Sequence, residues 1–252
     1  MFKKRYWWQA AKCEQFIAED ELSLPPEEHL GAHFIWTQWK KPEIVEELQD
    51  FSHPKQRLMY NKMEDNFHLA NKKALFMNMV SYYRKLDLDP FEVAIPLTFH
   101  IKSSCDKEYN ELVEVYQRHQ EIGKSNVWII KPGENSNRGC GIEVADNLKE
   151  IKQHIDTNAR MTNRTSIVQL YIERPLLISG RKFDIRAFAL ITQTNRAIKG
   201  YFYRDCYFRT SSRPFDLHNF DKFIHLTNDA VQVNSDDYGK YENANKMSIH
   251  DF

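Results

Sequence analysis

The 252-residue chain has no surplus of charge: 35 lysines and arginines are matched by 35 aspartates and glutamates. A general nucleic-acid binder carries a basic excess, so that class is disfavoured, although a local patch would not register in the sum. No stretch approaches the roughly 18 apolar residues of a membrane span. The opening "MFKKRYWWQAAKCEQF" also lacks the apolar core of a secretory leader. Cysteine is scarce: Cys13, Cys105, Cys140 and Cys206 show neither zinc-type spacing nor a disulfide framework. A reducing compartment is expected, the cytosol or a structure continuous with it. Internal repeats and low-complexity tracts are missing as well.

What remains is soluble, core-forming material, 42% hydrophobic and 28% charged, enough for one large domain or two small ones. Helical spacing of Tyr6, Ala10, Cys13 and Ile17 predicts an opening amphipathic helix, followed by a linker at "LSLPPEEHLG". Helices are predicted at "PEIVEELQDF", at "NKKALFMNMVSYYRKL" with Leu75, Met79 and Tyr82 on one side, at "CDKEYNELVEVYQRHQEIG" and at "NLKEIKQHI". Extended segments are predicted at "EVAIPLTFHI", "VWIIKP", "IEV" and "SIVQLYI", and "ISGRKFDIRAFALI" is expected to pair with "AIKGYFY" as a hairpin. Helices alternating with short strands indicate a mixed α/β or α+β fold.

Four segments concentrate polar chemistry. In "ISGRKFDIRAFALI", Lys182, Asp184 and Arg186 alternate with Phe183, Ile185 and Ala187, so one strand face carries plus, minus, plus. A solvated outer face accounts for that pattern, and so does the floor of a site for a charged ligand; Phe188 and Leu190 continue that face as apolar residues, which argues that it is not wholly wet. In "WIIKPGENSNRGCGI", a strand delivers Lys131 to a loop with glycines at 133, 139 and 141. Glycines let backbone N–H groups approach an anion and a lysine adds a point charge, yet an ordinary hairpin loop would read the same. The loop is neither GxxxxGK[ST] nor GxGxxG, so P-loop and Rossmann mechanisms do not transfer. "VQLYIERPLLI" is a plain core strand or a strand end that reads a planar base through its backbone. Arg204 and Arg209 in "YRDCYFRTSSRPF" bring cations to the same neighbourhood, within a basic stretch over 196–222, and "HLTNDAVQ" offers His225, Thr227 and Asn228, which could simply cap a helix.

In this order the four segments, with the upstream "NKKALFMNM", resemble the tubulin tyrosine ligase-like family of ATP-grasp enzymes over roughly residues 30–252. The resemblance implies an ATP-grasp-like α/β (α+β) fold with an N-terminal helix and linker over 1–30, an N-terminal α/β region over 31–123, and a central and partial C-terminal region over 124–252. It implies an enzyme that activates a carboxylate with ATP as an acyl phosphate and lets an amine attack it. By motif, Lys131 would hold the phosphates beneath a flap containing Arg138, Gly139 and Gly141. Gln169, Tyr171 and Ile172 would form the adenine hinge, Lys182 would meet the nucleotide and Asp184 the ribose. Arg186 and Arg209 would serve catalysis at the transferring group, with Thr227 and Asn228 lining the ribose and phosphate side. The implied cofactors are ATP and Mg2+, the partners tubulin's acidic tails and free glutamate or glycine, with no nucleic acid and no membrane.

Arg138 tilts the choice toward glycine, Asn137 and Cys140 fit neither pattern, and glutamate and glycine stand level with tyrosine behind. The expected location is the cytoplasm and cytoskeleton, including cilium, axoneme or basal body. The family's magnesium ligands, an aspartate and a Glu-x-Asn, have no counterparts before Phe252. The chain is therefore expected to be a C-terminally truncated ligase with exposed apolar surface, or a non-catalytic relative that binds tubulin. A metabolic ATP-grasp carboxylate–amine ligase is the third reading, and the HLTN segment speaks against it.

Overall fold

The computed structural model describes residues 34–38, 40–49, 59–134, 136, 138–162, 164–194 and 197–252. The helix expected over 6–17 and the linker after it lie outside them. The chain divides into two compact units, residues 1–64 and 65–252. In the first, strands β1 (Phe34–Ile35) and β2 (Met59–Tyr60) pair in parallel, and helix α1 (Pro42–Gln49), opened by the expected proline, buries Ile44 and Val45.

The second unit begins with α2 (Phe67–Ala70) and α3 (Lys72–Arg84), where the Asn71 side chain accepts from the Ala74 amide as an N-cap. The side of α3 bearing Leu75 and Tyr82 is exposed, and no residue of this helix is buried. "EVAIPLTFHI" is not extended throughout. Asp89 caps and Pro90 starts a short helix, α4 (Pro90–Val93), before strand β3 (Thr98–Ile101) begins. Helix α5 (Lys107–Glu121) ends at Gly123, whose φ of 65° and amide bond to Gln120 O close the last turn.

Strands β4 (Trp128–Pro132), β5 (Glu143–Ala145) and β6 (Ser166–Leu170), with helix α6 (Leu148–Thr162) between the last two, complete a four-stranded antiparallel sheet in the order β3-β6-β4-β5. Alternation decides its two faces. Trp128, Ile130 and Val168 turn toward α5 and α6 and form the main core with Tyr109, Leu112, Tyr116, Ile151 and Ile155. Each fully buried side chain of this size contributes about 1.5–3 kcal/mol. Ile129, Lys131, Gln169 and Tyr171 occupy the opposite parity, and a smaller apolar cluster of Val127, Val144 and Tyr171 packs there with Phe215, Leu217 and Phe220.

The charged stretch divides where a single strand was expected. After the hairpin of β7 (Leu177–Ile178) and β8 (Arg181–Arg186), the chain breaks at Ala187–Phe188 and resumes as β9 (Ala189–Thr194). Only β9 pairs with β10 (Ala197–Phe202); β8 lies between β7 and β11 (Tyr207–Pro214), with β12 (Lys246–Ser248) on the outer side of β11. The tight β7–β8 turn uses Ser179 and Gly180 at φ 49° and 73°, the paired positive values that a type I′ turn demands. Phe188 and Leu190 are exposed, so the face beyond Arg186 is wet, against the expectation. Helices α7 (Lys222–His225) and α8 (Asp229–Gln232) follow, with Asn228 at the α8 N-cap position but making no side-chain cap bond. The fold is mixed α/β, and the sheets of the second unit are antiparallel. No helix among the described residues is long and apolar enough to cross a membrane.

Candidate functional site

Two lysines define the site, and both project from strands into half-buried positions. Lys131 Nζ donates to Gln169 Oε1 at 2.8 Å, Gln169 Nε2 donates to Thr98 Oγ1 at 2.9 Å, and Thr98 Oγ1 donates to Pro96 O at 2.7 Å. Lys182 Nζ donates to the Tyr171 hydroxyl at 2.7 Å, and that hydroxyl lies 2.8 Å from His225 Nδ1. His225 Nε2 is 2.8 Å from Asn219 O.

Both ammonium groups are thus bound to neutral oxygens, and among the described residues neither forms an ion pair. Burial, reinforced by Lys131, pulls the Lys182 pKa down to about 8. Burial and then Lys72 lower that of Lys131. Desolvated cations without carboxylate partners attract an anion strongly.

The glycine loop lies close to these groups and is held at both ends. On one side Glu134 accepts from Lys73 Nζ, the Thr165 amide and the Thr165 hydroxyl, while Lys72 Nζ donates to Ser136 O and Oγ at 3.0 Å. On the other, Gly139 adopts φ 82°, and a Cβ there would stand 2.8 Å from Val231 Cγ2 and 3.0 Å from Asn228 Oδ1. Only glycine combines that backbone with that approach. The loop therefore rests on the start of α8, next to Thr227. Arg138, at φ 56°, is exposed beside it, and Gly141 (φ 70°) turns against Pro132.

Across β8 and β11, Asp184 lies directly opposite Arg209. Arg209 Nε and Nη2 each donate to one carboxylate oxygen at 2.8 Å, and the Thr227 hydroxyl donates to Asp184 Oδ2. The bond to Asp184 raises the Arg209 pKa further. The reverse face of β8 carries Arg181, whose guanidinium forks onto Glu242 and covers the Tyr241 ring at 4.2 Å.

The tubulin-tyrosine ligase family model matches residues 51–252. The chain belongs to the tubulin-tyrosine ligase family. Among relatives, it is 43% identical over 129 residues to tubulin monoglycylase TTLL3 of Mus musculus, covering 51% of this chain and 14% of that protein. It is 47% identical over 142 residues to tubulin glycylase 3B of Drosophila melanogaster, covering 53% and 18%. To tubulin glycylase 3D of Tetrahymena thermophila it is 33% identical over 239 residues, covering 90% and 21%. The chain spans about a fifth or less of the length of these relatives.

As a member of this family the chain brings most of the expected residues into contact, though several in unexpected ways. Lys131 with Gln169, Lys182 with Tyr171, Asp184 with Arg209 and Thr227, and Gly139 with Asn228 each form a local constellation. Gln169 holds Lys131 with its side chain, while the Tyr171 amide donates to Val127 O at 2.9 Å. Asp184, expected at a ribose, has both oxygens engaged by Arg209. Ile172 is 61% exposed, and Arg186 is exposed with its guanidinium 5.5 Å from the Phe188 ring.

Thr98 carries no motif, and His225 stands in the sequence only as a polar neighbour of Thr227 and Asn228. Their partners lie 71 and 54 residues away in sequence, and no local pattern announces such contacts. The lysines and glycine loop fit an anionic nucleotide such as ATP. No three of His, Cys, Asp and Glu among the described residues gather in a group that could hold a metal ion by themselves.

Proposed function

We propose that this chain forms the nucleotide-binding part of an ATP-dependent ligase that attaches glycine to the acidic tails of tubulin. The observation that carries the nucleotide reading is the pair of desolvated ammonium groups, Lys131 and Lys182, held by neutral oxygens close to a glycine loop. Lys131 and Lys182 would hold the polyphosphate, the loop through Arg138, Gly139 and Gly141 would cover it, and Tyr171 and Ile172 would flank the base. When bound, ATP supplies the phosphoryl group that makes a carboxylate reactive toward an amine. Asp184 holds Arg209 and Thr227 together, so that Arg209 would offer a fixed guanidinium to the developing negative charge.

Support for glycine over glutamate comes from the relatives, which are named as glycylases of tubulin. That choice runs in the direction of the tilt that Arg138 gave. Cytoskeletal association, including the cilium, goes with the same substrate.

Calorimetry with ADP tests the nucleotide site. The chain binds ADP, and Lys131→Ala weakens that binding by about tenfold or more, the worth of a hydrogen bond to a charged group. Equal affinity in the variant would remove Lys131 from the site. Labelled glycine and glutamate, offered with ATP and microtubules to the gene product that carries this chain, test the substrate. Incorporation of glycine alone is the expected result.

A further inference from the structure

The contacts behind the two lysines have a direction, and that direction is set at their far ends. Pro96 O and Asn219 O are carbonyl oxygens and only accept. Thr98 must therefore spend its hydroxyl proton on Pro96, which leaves its oxygen to accept from Gln169 Nε2 and turns Gln169 Oε1 toward Lys131. His225 must carry its proton on Nε2, facing Asn219 O, which leaves Nδ1 as an acceptor. The Tyr171 hydroxyl then donates to Nδ1 and offers its lone pairs to Lys182 Nζ. Neutral imidazole is what this arrangement requires, and burial lowers the His225 pKa, with Lys182 acting in the same direction against the bond to Asn219 O and the charges of Asp216 and Asp221. The rings of Tyr171, Phe215 and Phe220 lie 5.3, 5.8 and 6.0 Å from the imidazole and fix its plane.

Neutral acceptors matter here for a second reason. A carboxylate would hold each ammonium equally well but would cancel its charge, and an incoming anion would then have to compete for it. An amide and a phenol orient the ammonium while leaving its charge available.

On the reading of this site as a nucleotide site, we propose that Thr98 and His225 are positioning residues. Acting through Gln169 and Tyr171, they aim the ammonium groups of Lys131 and Lys182 at the bound anion without neutralising them. Neither residue touches the ligand.

Two measurements on the 252-residue chain test this. The first is ADP affinity by calorimetry. Thr98→Val and His225→Phe each weaken ADP binding by about tenfold, while Thr98→Ser and His225→Asn, which restore an acceptor atom at that position, recover most of the loss. Thr98→Val adds nothing further to Gln169→Ala, and His225→Phe adds nothing further to Tyr171→Phe, because each pair acts in series. Additive losses within a pair, or rescue variants as weak as Val and Phe, would overturn the proposal.

The second is nuclear magnetic resonance without ligand, which reads the His225 tautomer and the titration of the two lysine Nζ groups. The proton resides on Nε2, and His225→Phe shifts the titration of Lys182 while leaving Lys131 nearly unmoved; Thr98→Val does the converse. A proton on Nδ1, or lysines indifferent to both substitutions, would overturn the proposal. If the parent chain shows no ADP binding, the nucleotide reading fails, and the resonance experiment still decides whether the two relays exist.

Discussion

The sheet β3-β6-β4-β5 and the hairpin β9–β10 are similar in composition and opposite in circumstance. "WIIKP" and "SIVQL" place Trp128, Ile130 and Val168 under α5 and α6, where they are fully buried. "ALITQT" and "AIKGYF" are as apolar, yet every residue of β9 and β10 is exposed, with Ile198 at 68% and Phe202 at 72%. Strand propensity and alternation fix which residues pair, while burial is fixed by what covers the faces. The covered sheet can therefore present Lys131 from the face opposite its main core, because the core face holds it rigid.

The largest test of this contrast is Trp128→Ala, which removes a wholly buried side chain and is expected to cost about 3–5 kcal/mol in urea denaturation. A loss below about 1 kcal/mol would mean that the α5–α6 face is not the main source of stability. Close behind comes Glu242→Ala. It strands the Arg181 guanidinium, whose Nε already lacks a partner among the described residues, and is expected to cost about 3 kcal/mol.

An intermediate effect concerns pH. Lys182 holds its proton to about 8 in the fold, against an ordinary lysine value of 10.5 in the unfolded chain. Between those values the unfolded chain binds more protons, so stability is lower below pH 8 and rises as pH passes through the window. Anion binding runs the other way, because a bound ADP must restore the proton. ADP affinity is expected to fall by up to about tenfold per pH unit above 8, and Lys182→Met should flatten most of that slope. An affinity independent of pH between 8 and 9.5 would show that the anion does not meet Lys182. The smallest effect is at the hairpin: Ile198→Thr is expected to change stability by no more than about 0.5 kcal/mol. A larger loss would place a partner surface against β10.

Much of this arrangement is legible in the sequence, for identifiable reasons. The alternation in "WIIKP" places Lys131 opposite the core, and the glycine spacing marks a loop that backbone sterics force open at Gly139. The break at Ala187–Phe188 is not legible, because the pattern of "KFDIRAFALI" continues smoothly across it. Only the cross-strand partners show that β8 turns to β11 and β9 to β10. The Ser179–Gly180 turn did carry a local mark, the Ser-Gly pair. Asp184 looked like a ligand-facing carboxylate, since nothing in the chain order tells that Arg209 sits across from it. Thr98 and His225 escaped for the same reason.

The Arg181–Glu242 contact has a consequence for how the sheet assembles. Side chains in a strand alternate, so a slip of β8 by one residue would exchange its two faces and put Lys182 where Arg181 belongs. Two neighbouring cations make that slip tempting on charge alone. Glu242, however, is met by a planar fork that delivers one N–H to each oxygen, and a lysine has only a single point of charge to offer. The shape of one guanidinium thus distinguishes the correct register from its nearest wrong neighbour, and so ensures that Lys182 faces the site when the strand closes.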